Sequence, residues 1–136
     1  MAAYGSSRQY LEALARRSAL PAGFCAATAS LAFSPAEKPG SFPMNLSLIL
    51  LDEPTPSFAA LFTRNRLAGA PVRIGRRRLE EPRLRGVLVN TKVANVGAQG
   101  GVQDARAVLK ELGGLLDTPE RELLAASTGV IGWRLP

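Results

Sequence analysis

The chain has 136 residues, enough for one domain that buries roughly two thirds of its unfolded surface in a single core. Its 17 basic and 11 acidic residues give a formal charge of +6, which favours anionic partners or reflects only an arginine-rich composition. The absence of histidine excludes histidine-based acid-base and metal chemistry, and the single cysteine, Cys25, excludes an internal disulfide.

The distribution of apolar residues argues against a membrane protein. No run approaches the roughly 18 to 20 apolar residues that cross a bilayer, and the longest apolar block, residues 46 to 51, has the length of a strand. Arg8, Arg16 and Arg17 are not followed by an uninterrupted apolar segment of secretory length. We therefore expect one domain over residues 1 to 136, located in the cytoplasm, with no membrane contact, no cofactor and no metal.

The first third of the chain predicts a helix, an extended segment and a loop. Residues 7 to 18 place apolar side chains at helical spacing, with Ser6 or Ser7 as the N-cap. A run of small residues from 25 to 33 is typical of an extended segment. Residues 34 to 43 contain three prolines and a glycine, which predicts a surface loop.

The next segment predicts neighbouring strands. Residues 45 to 51 are almost continuously apolar, which indicates a strand that is buried on both faces. An acidic, proline-rich turn follows at residues 52 to 56. Residues 58 to 62 then predict a second strand, which would form a hairpin with the first, and residues 70 to 74 alternate like an edge strand.

Arginines are concentrated between residues 64 and 85. A solvated or subunit-facing basic surface, a nucleic-acid interface and a site for a small anion are the three interpretations. No aromatic residue lies between Phe62 and Trp133 to stack on bases, and Glu80 and Glu81 interrupt the charge, so we expect no nucleic-acid partner. The arginines are Arg64, Arg66, Arg73, Arg76, Arg77, Arg78, Arg83 and Arg85.

The second half predicts a central strand, a polar loop and two helices. The strand covers residues 85 to 90 and the loop continues to residue 101, where ligand sites of layered α/β proteins are common. Thr118 before a proline predicts the N-cap of a short helix that reaches Leu124. The longer helix begins at residue 102, with one apolar face formed by Val102, Ala105, Leu109, Leu112 and Leu116.

Glycines in the polar loop have two interpretations. Residues 97 to 102 join a loop to a helix, where exposed backbone N–H groups can cradle a phosphate. The glycine spacing matches neither the dinucleotide fingerprint nor the P-loop, which favours tight turns between the strand and the helix.

The Thr128-Gly129 step can offer a hydroxyl and a freely oriented backbone N–H, which are the donors that stabilise a developing oxyanion. Ser127 and Thr128 are candidate nucleophiles, but no histidine exists to act as their base. No spacing argument pairs either hydroxyl with a lysine. The lysines are Lys38, Lys92 and Lys110.

Several blocks of this sequence, in this order, resemble the ornithine acetyltransferase family, the bifunctional glutamate N-acetyltransferases of arginine biosynthesis. The resemblance covers about residues 20 to 136. Its blocks are Phe62-Thr63-Arg64-Asn65-Arg66 with Ala70-Pro71-Val72, Val89-Asn90 with Ala94-Asn95, Gly100 with Asp104-Ala105-Arg106, and Ser127-Thr128-Gly129-Val130-Ile131-Gly132 with Leu135-Pro136. The earlier Pro21-Ala22-Gly23-Phe24 and Leu48 to Pro54 also match.

The resemblance implies an α/β fold, a layered αββα sandwich of which this chain is the N-terminal part. It implies a precursor that cleaves itself before a threonine, which becomes the N-terminal nucleophile of a β chain and uses its own α-amino group as base. The expected partners are that β chain in an α2β2 assembly, with N-acetylornithine and glutamate as substrates. Thr128 and Gly129 match the family's oxyanion hole, so they are the predicted catalytic residues.

The sequence departs from the family pattern in two places. The family's usual Asn-Ser-Gly-Asn-Ala-Asn loop has Thr, Lys and Val at residues 91 to 93, and its Glu-Pro has become Trp133-Arg134. The resemblance also implies that the substrate-binding Thr and Lys, the Ala-Thr cleavage site and the nucleophile lie beyond Pro136.

Two functions follow from these observations. The first is the α-chain-like part of an enzyme that moves acetyl from N-acetylornithine to glutamate, inactive as an isolated chain. The alternative is a divergent, non-catalytic paralogue that serves as a partner-binding subunit.

Overall fold

The computed structural model describes residues 4 to 136, which form one four-stranded sheet with two helices, at residues 70 to 78 and 101 to 115, packed against one face. The strands lie in the sheet in chain order, so β2 and β3 are the inner strands. The elements are α1 (Ser7–Arg17), β1 (Phe24–Phe33), β2 (Phe42–Thr55), α2 (Ala70–Arg78), β3 (Leu84–Asn90), α3 (Gly101–Leu115), a 3-10 turn (Glu120–Glu122) and β4 (Leu123–Ser127).

The sheet combines antiparallel and parallel pairing. β2 is antiparallel to both β1 and β3, whereas β3 and β4 are parallel and are joined through α3. A parallel pair needs such a crossover because the chain must return to the starting edge of the sheet. β3 and β4 therefore end at the same edge, where Asn90 is paired with Ser127.

The main core lies between the sheet and the helices. Leu50 of β2, Ile74 of α2, Leu109 of α3 and Leu123 of β4 form one buried cluster. Side chains alternate across a strand, so the neighbours of Leu50 in β2 point to the opposite face. There Ile49 is 45% exposed, and burial of β2 on both faces, as its apolar sequence predicted, is wrong for this chain.

β2 is longer than predicted, and the hairpin after it is wrong. The strand continues through the expected turn to Thr55, which pairs with Leu84 after an irregularity in the register. Residues 56 to 69 form no strand. The ring of Phe62 lies against Gly75 of α2 and does not belong to a strand. The contact is so close that a β-carbon on Gly75 would overlap the ring.

The strand expected at residues 70 to 74 is the start of α2. Pro71 occupies the first turn, where its missing N–H costs no helical hydrogen bond. Ala70, Ile74 and Arg78 recur four residues apart and are all buried on the same side of the helix. The short segment resembles an alternating strand in sequence, but its burial has the helical period.

The short helix expected after Thr118 is a single 3-10 turn, because the chain enters β4 already at Leu123.

The other helices and strands are confirmed. α1 spans Ser7–Arg17 with the Ser6 hydroxyl accepting from the Gln9 N–H at 3.2 Å, and α3 spans Gly101–Leu115. β1 and β3 fall where extended residues were expected.

Candidate active site

The candidate site lies where the parallel strands β3 and β4 end. Asn90 is the last residue of β3 and Ser127 is the last residue of β4, and the two are paired across the ladder. The carboxyl ends of parallel strands are favoured ligand positions in open α/β sheets. The predicted residues Thr128 and Gly129 follow directly.

Asn90 joins the two strand ends. The residue is only 6% exposed, and its amide oxygen accepts from the Ser127 hydroxyl at 2.5 Å. Its amide nitrogen donates to the Val93 carbonyl at 2.9 Å, and its own carbonyl accepts from the Thr128 N–H at 3.0 Å. One buried amide therefore fixes both the loop after β3 and the segment after β4.

The two loops then run side by side. The Val130 N–H donates to the Lys92 carbonyl at 2.8 Å, and the Ala94 N–H donates to the Val130 carbonyl at 2.9 Å. Val93, which is fully buried, pairs with Val130 in a parallel bridge. These bonds extend the pairing of β3 and β4 past the strand ends, so residues 128 to 130 have a defined backbone path.

Gly129 is required by this path. Its φ of 141° lies in a region that side chains with a β-carbon rarely adopt, and a β-carbon there would overlap the backbone of Lys92. Lys92 itself has a φ of 71°, a left-handed conformation, at the position where the resembled family has glycine. Two residues with left-handed backbone conformations, Lys92 and Gly129, are therefore in contact at the predicted oxyanion hole.

The hydrogen-bond donors of Thr128 and Gly129 differ in whether they already have an acceptor. The Thr128 N–H is already bonded to Asn90. Within residues 4 to 136, neither the Thr128 hydroxyl nor the Gly129 N–H has a hydrogen-bond acceptor, and both residues are exposed. A hydroxyl and a backbone N–H on adjacent residues can together receive a negatively charged oxygen.

The candidate nucleophiles of the chain have no base beside them. Ser127 donates its proton to the Asn90 amide, which is not a base. In the described part of the chain no lysine forms a hydrogen bond with Ser127 or Thr128, and Lys38 instead lies over the ring of Phe42 at 5.5 Å. The arrangement can stabilise charge, but it does not generate a nucleophile.

Trp133 and Arg134, which replace Glu-Pro of the family pattern, anchor the end of the chain. Arg134 donates to both carboxylate oxygens of Asp104, at 2.8 and 2.6 Å, near the start of α3. This hydrogen bond and the charge of Asp104 raise the pKa of the Arg134 guanidinium above its usual range. The Trp133 ring packs at 5.5 Å from Phe42 and 6.2 Å from Phe33.

Asn95 connects the loop to both helices. Its carbonyl accepts from the Ala70 N–H at 2.9 Å at the start of α2, and its side-chain nitrogen donates to the Gly101 carbonyl at 3.1 Å at the start of α3. Asn90 and Asn95 both fall in blocks of the family resemblance, but their contacts were not predicted. The sequence signals a polar residue at a strand end, not the register that brings Asn90 to Ser127.

Two kinds of site receive no support from the described residues. Residues 4 to 136 contain no group of three or more His, Cys, Asp or Glu side chains arranged to hold a metal ion. None of the helices in this part of the chain has the length and apolar character needed to cross a membrane.

Proteins of arginine biosynthesis are similar in sequence to this chain. Arginine biosynthesis bifunctional protein ArgJ of Nitratidesulfovibrio vulgaris is 38% identical over 120 residues, which cover 87% of this chain and 29% of that protein. The mitochondrial ArgJ of Talaromyces marneffei is 40% identical over 96 residues, 68% of this chain and 20% of that protein. The chain thus spans less than a third of the length of these relatives.

Solved structures of such proteins share the fold. Ornithine acetyltransferase of Mycobacterium tuberculosis, crystallised in complex with ornithine, matches with a TM-score of 0.69 at 31% identity, over 85% of this chain and 61% of that chain. ArgJ of Bacillus halodurans matches with a TM-score of 0.62 at 26% identity, over 82% of this chain and 65% of that chain. The predicted α/β fold of the ornithine acetyltransferase type is confirmed by these matches.

The family assignment rests on most of the sequence. The sequence pattern that defines the ArgJ family matches residues 36 to 136, which include every strand except β1, both helices of the core, and Thr128-Gly129. This chain belongs to the ArgJ family of arginine biosynthesis.

Proposed function

We propose that the chain is the α-chain-like part of an ornithine acetyltransferase, which moves acetyl from N-acetylornithine to glutamate. Thr128 and Gly129 form its oxyanion hole, and a threonine on a β chain is the nucleophile. The observation that carries the proposal is the pair of adjacent donors, the Thr128 hydroxyl and the Gly129 N–H, both exposed and without an acceptor in residues 4 to 136.

In the proposed reaction, the β-chain threonine hydroxyl attacks the acetyl carbonyl of N-acetylornithine, and its α-amino group takes the proton. The carbonyl oxygen becomes negatively charged and receives hydrogen bonds from Thr128 and Gly129. Collapse of this intermediate expels ornithine, which leaves with the proton, and gives an acetylated threonine. The amine of glutamate then attacks the carbonyl carbon of the acetylated threonine, which forms a second oxyanion at the same donors. Collapse of this intermediate breaks the bond to the threonine oxygen, releases N-acetylglutamate, and returns the proton lost by the amine to the threonine hydroxyl.

The sheet supports an assembly with a second chain. Its face opposite the helices carries Phe24 and Ile49, which are 42% and 45% exposed. Apolar side chains on a sheet face are stabilised when another layer removes them from water. We propose that the β chain contributes that layer within an α2β2 assembly, which leaves the donors at the sheet edge accessible to its nucleophile.

The function is tested by assembling the chain with a β chain that carries the threonine and measuring N-acetylglutamate formed from N-acetylornithine and glutamate. Thr128→Ala should lower kcat about a hundredfold with little change in KM, because an oxyanion donor acts mainly in the transition state. Thr128→Ser retains the hydroxyl and should restore most of the rate.

Thr55→Ala is the matched control, since Thr55 lies at the opposite end of the sheet, paired with Leu84. It should leave kcat unchanged. An active assembly in which Thr128→Ala is as fast as the unchanged chain would disprove the role of Thr128.

Lys92 favours the second candidate, a non-catalytic partner-binding subunit, because its side chain replaces the glycine that the resembled family has in the loop beside Gly129. For that function, the assembly should form at its normal size on a gel-filtration column and yet make no N-acetylglutamate. Lys92→Gly should not restore activity in that case, whereas product formation by the unchanged assembly would reject the alternative.

A further inference from the structure

The arginines of this protein divide into paired and unpaired groups. Arg78, Arg83, Arg121 and Arg134 each form an ion pair with a carboxylate, at 2.6 to 3.7 Å. Within residues 4 to 136, a second set has no carboxylate partner and lines a single concave surface, which we call the arginine cavity. These residues are Arg64, Arg66, Arg73 and Arg76.

The arginine cavity has a volume of about 710 Å³, within the range of small-molecule sites. Arg64 and Arg66 come from the loop before α2, Arg73 and Arg76 come from α2, and residues 97 to 99 form the opposite wall. No carboxylate lines it. Four like charges on one concave surface repel each other, so a bound anion relieves that repulsion as well as pairing with each guanidinium.

A second cavity of about 370 Å³ shares Arg73 and the wall of residues 97 to 99. The first turn of α3 opens into it, and the N-cap residue, Gly100, provides no side-chain acceptor for that turn. The positive end of a helix dipole thus faces the same region as the arginines. Asp104, near the start of α3, forms an ion pair with Arg134, so its charge does not neutralise the four arginines of the arginine cavity.

The loop that carries Arg64 and Arg66 has internal hydrogen bonds. The Thr63 hydroxyl accepts from the Asn65 N–H at 3.2 Å, and the Asn65 side chain accepts from the Leu67 N–H at 2.9 Å. The Arg76 guanidinium donates to the Thr63 carbonyl, which ties the loop to α2. These bonds reduce the conformational entropy that a ligand would have to remove.

We propose that the arginine cavity binds a small anion that carries two or more carboxylate or phosphate groups. The four guanidiniums provide planar, paired donors that suit either group. No aromatic side chain lines the cavity to stack on a base, which favours a small anion over a nucleic acid. The proposal does not depend on the acetyl-transfer function, because none of its residues belongs to the oxyanion step.

Isothermal titration calorimetry at low salt tests the proposal, with pyrophosphate as the phosphate probe and citrate as the carboxylate probe. At least one of them should bind saturably with one site per chain, and the tighter one identifies the preferred group. Raising the salt concentration should weaken binding steeply, because exposed charges are screened. Arg66→Gln and Arg73→Gln should each weaken binding about tenfold or more, as expected for the loss of a charge-assisted hydrogen bond.

Arg77→Gln is the matched control, since Arg77 is exposed on α2 but does not line the cavity. It should keep the affinity of the unchanged chain, and circular dichroism checks that all three variants remain folded. Arg66 lies outside the helices and the sheet, so its replacement tests the cavity even if Arg73→Gln unfolds the helix. No saturable binding of either probe, an equal loss in Arg77→Gln, or tighter binding of a short RNA than of either probe would each overturn the proposal.

Discussion

Gly129 is the residue on which the geometry of the candidate site most depends. We expect Gly129→Ala to lower the free energy of unfolding by about 3 kcal/mol, because an added β-carbon overlaps the Lys92 backbone and strains a glycine-only conformation. The Gly132→Ala variant separates the effect of backbone strain from that of the overlap with Lys92. Gly132 has a φ of 89° but open space around it, so its replacement should cost about 1 kcal/mol. Urea denaturation of the three chains measures the difference, and equal losses would show that Lys92 does not crowd Gly129.

Lys92 gives a prediction of the opposite sign. Glycine adopts a left-handed backbone without the steric cost that a β-carbon brings, so Lys92→Gly should raise the unfolding free energy by about 1 kcal/mol. Lys110→Gly, on an exposed position of α3, should instead lower it by about 1 kcal/mol because glycine is a poor helix former. A loss of stability in Lys92→Gly would mean that the lysine side chain makes contacts that outweigh its backbone strain.

At the residue scale, the sequence predicted which residues carry the hydrogen-bond donors of the candidate site, but not the contacts that hold those residues in place. A threonine followed by glycine indicates a hydroxyl and a flexible N–H, and the family resemblance gives the same pair, Thr128 and Gly129. Their catalytic role remains a prediction. The bond from Ser127 to Asn90 depends on which residues of two parallel strands lie opposite each other, and no local pattern encodes that register.

At the element scale, α3 determines how closely the chain can pack in the turn that leads to β4. Gly113 and Gly114 are adjacent in this helix, but only Gly113 faces the returning chain, where a β-carbon would overlap the Thr118 carbonyl. Gly113→Ala should therefore destabilise the protein by about 2 kcal/mol. Gly114→Ala, with open space beside it, should stabilise the helix by about 0.5 to 1 kcal/mol. Thermal melts of both variants provide the comparison, and stabilisation by Gly113→Ala would contradict the close approach.

The longer core helix was predicted correctly because its sequence pattern is long and periodic. α3 repeats its apolar face over 15 residues, so its helical period is unambiguous. α2 has only nine residues, includes Pro71 and ends in three arginines, and its apolar positions fit a short strand as well as a helix. Packing of Ile74 into the core decides for the helix. The extension of β2 to Thr55 likewise depends on β3, because Leu84 pairs with Thr55 within the predicted turn.

At the scale of the whole molecule, residues 4 to 136 cover the sheet on one side only. The isolated chain should therefore self-associate as its concentration rises, because Phe24 and Ile49 keep apolar area in water. Sedimentation velocity should show less association for Ile49→Lys. Leu115→Lys is the control, since Leu115 is also exposed but lies on α3, and it should not change association. A chain that remains monomeric at high concentration, or a variant that associates as strongly, would contradict this expectation.

The packing of Trp133 also makes this residue an intrinsic fluorescence probe of the end of the chain. It is the only tryptophan of the protein, and its ring sits in the aromatic cluster with Phe33 and Phe42, four residues after Gly129. Release of the last nine residues from the sheet would move that indole into water and shift its emission to the red. Fluorescence therefore distinguishes local detachment of the candidate site from global unfolding, which circular dichroism records separately.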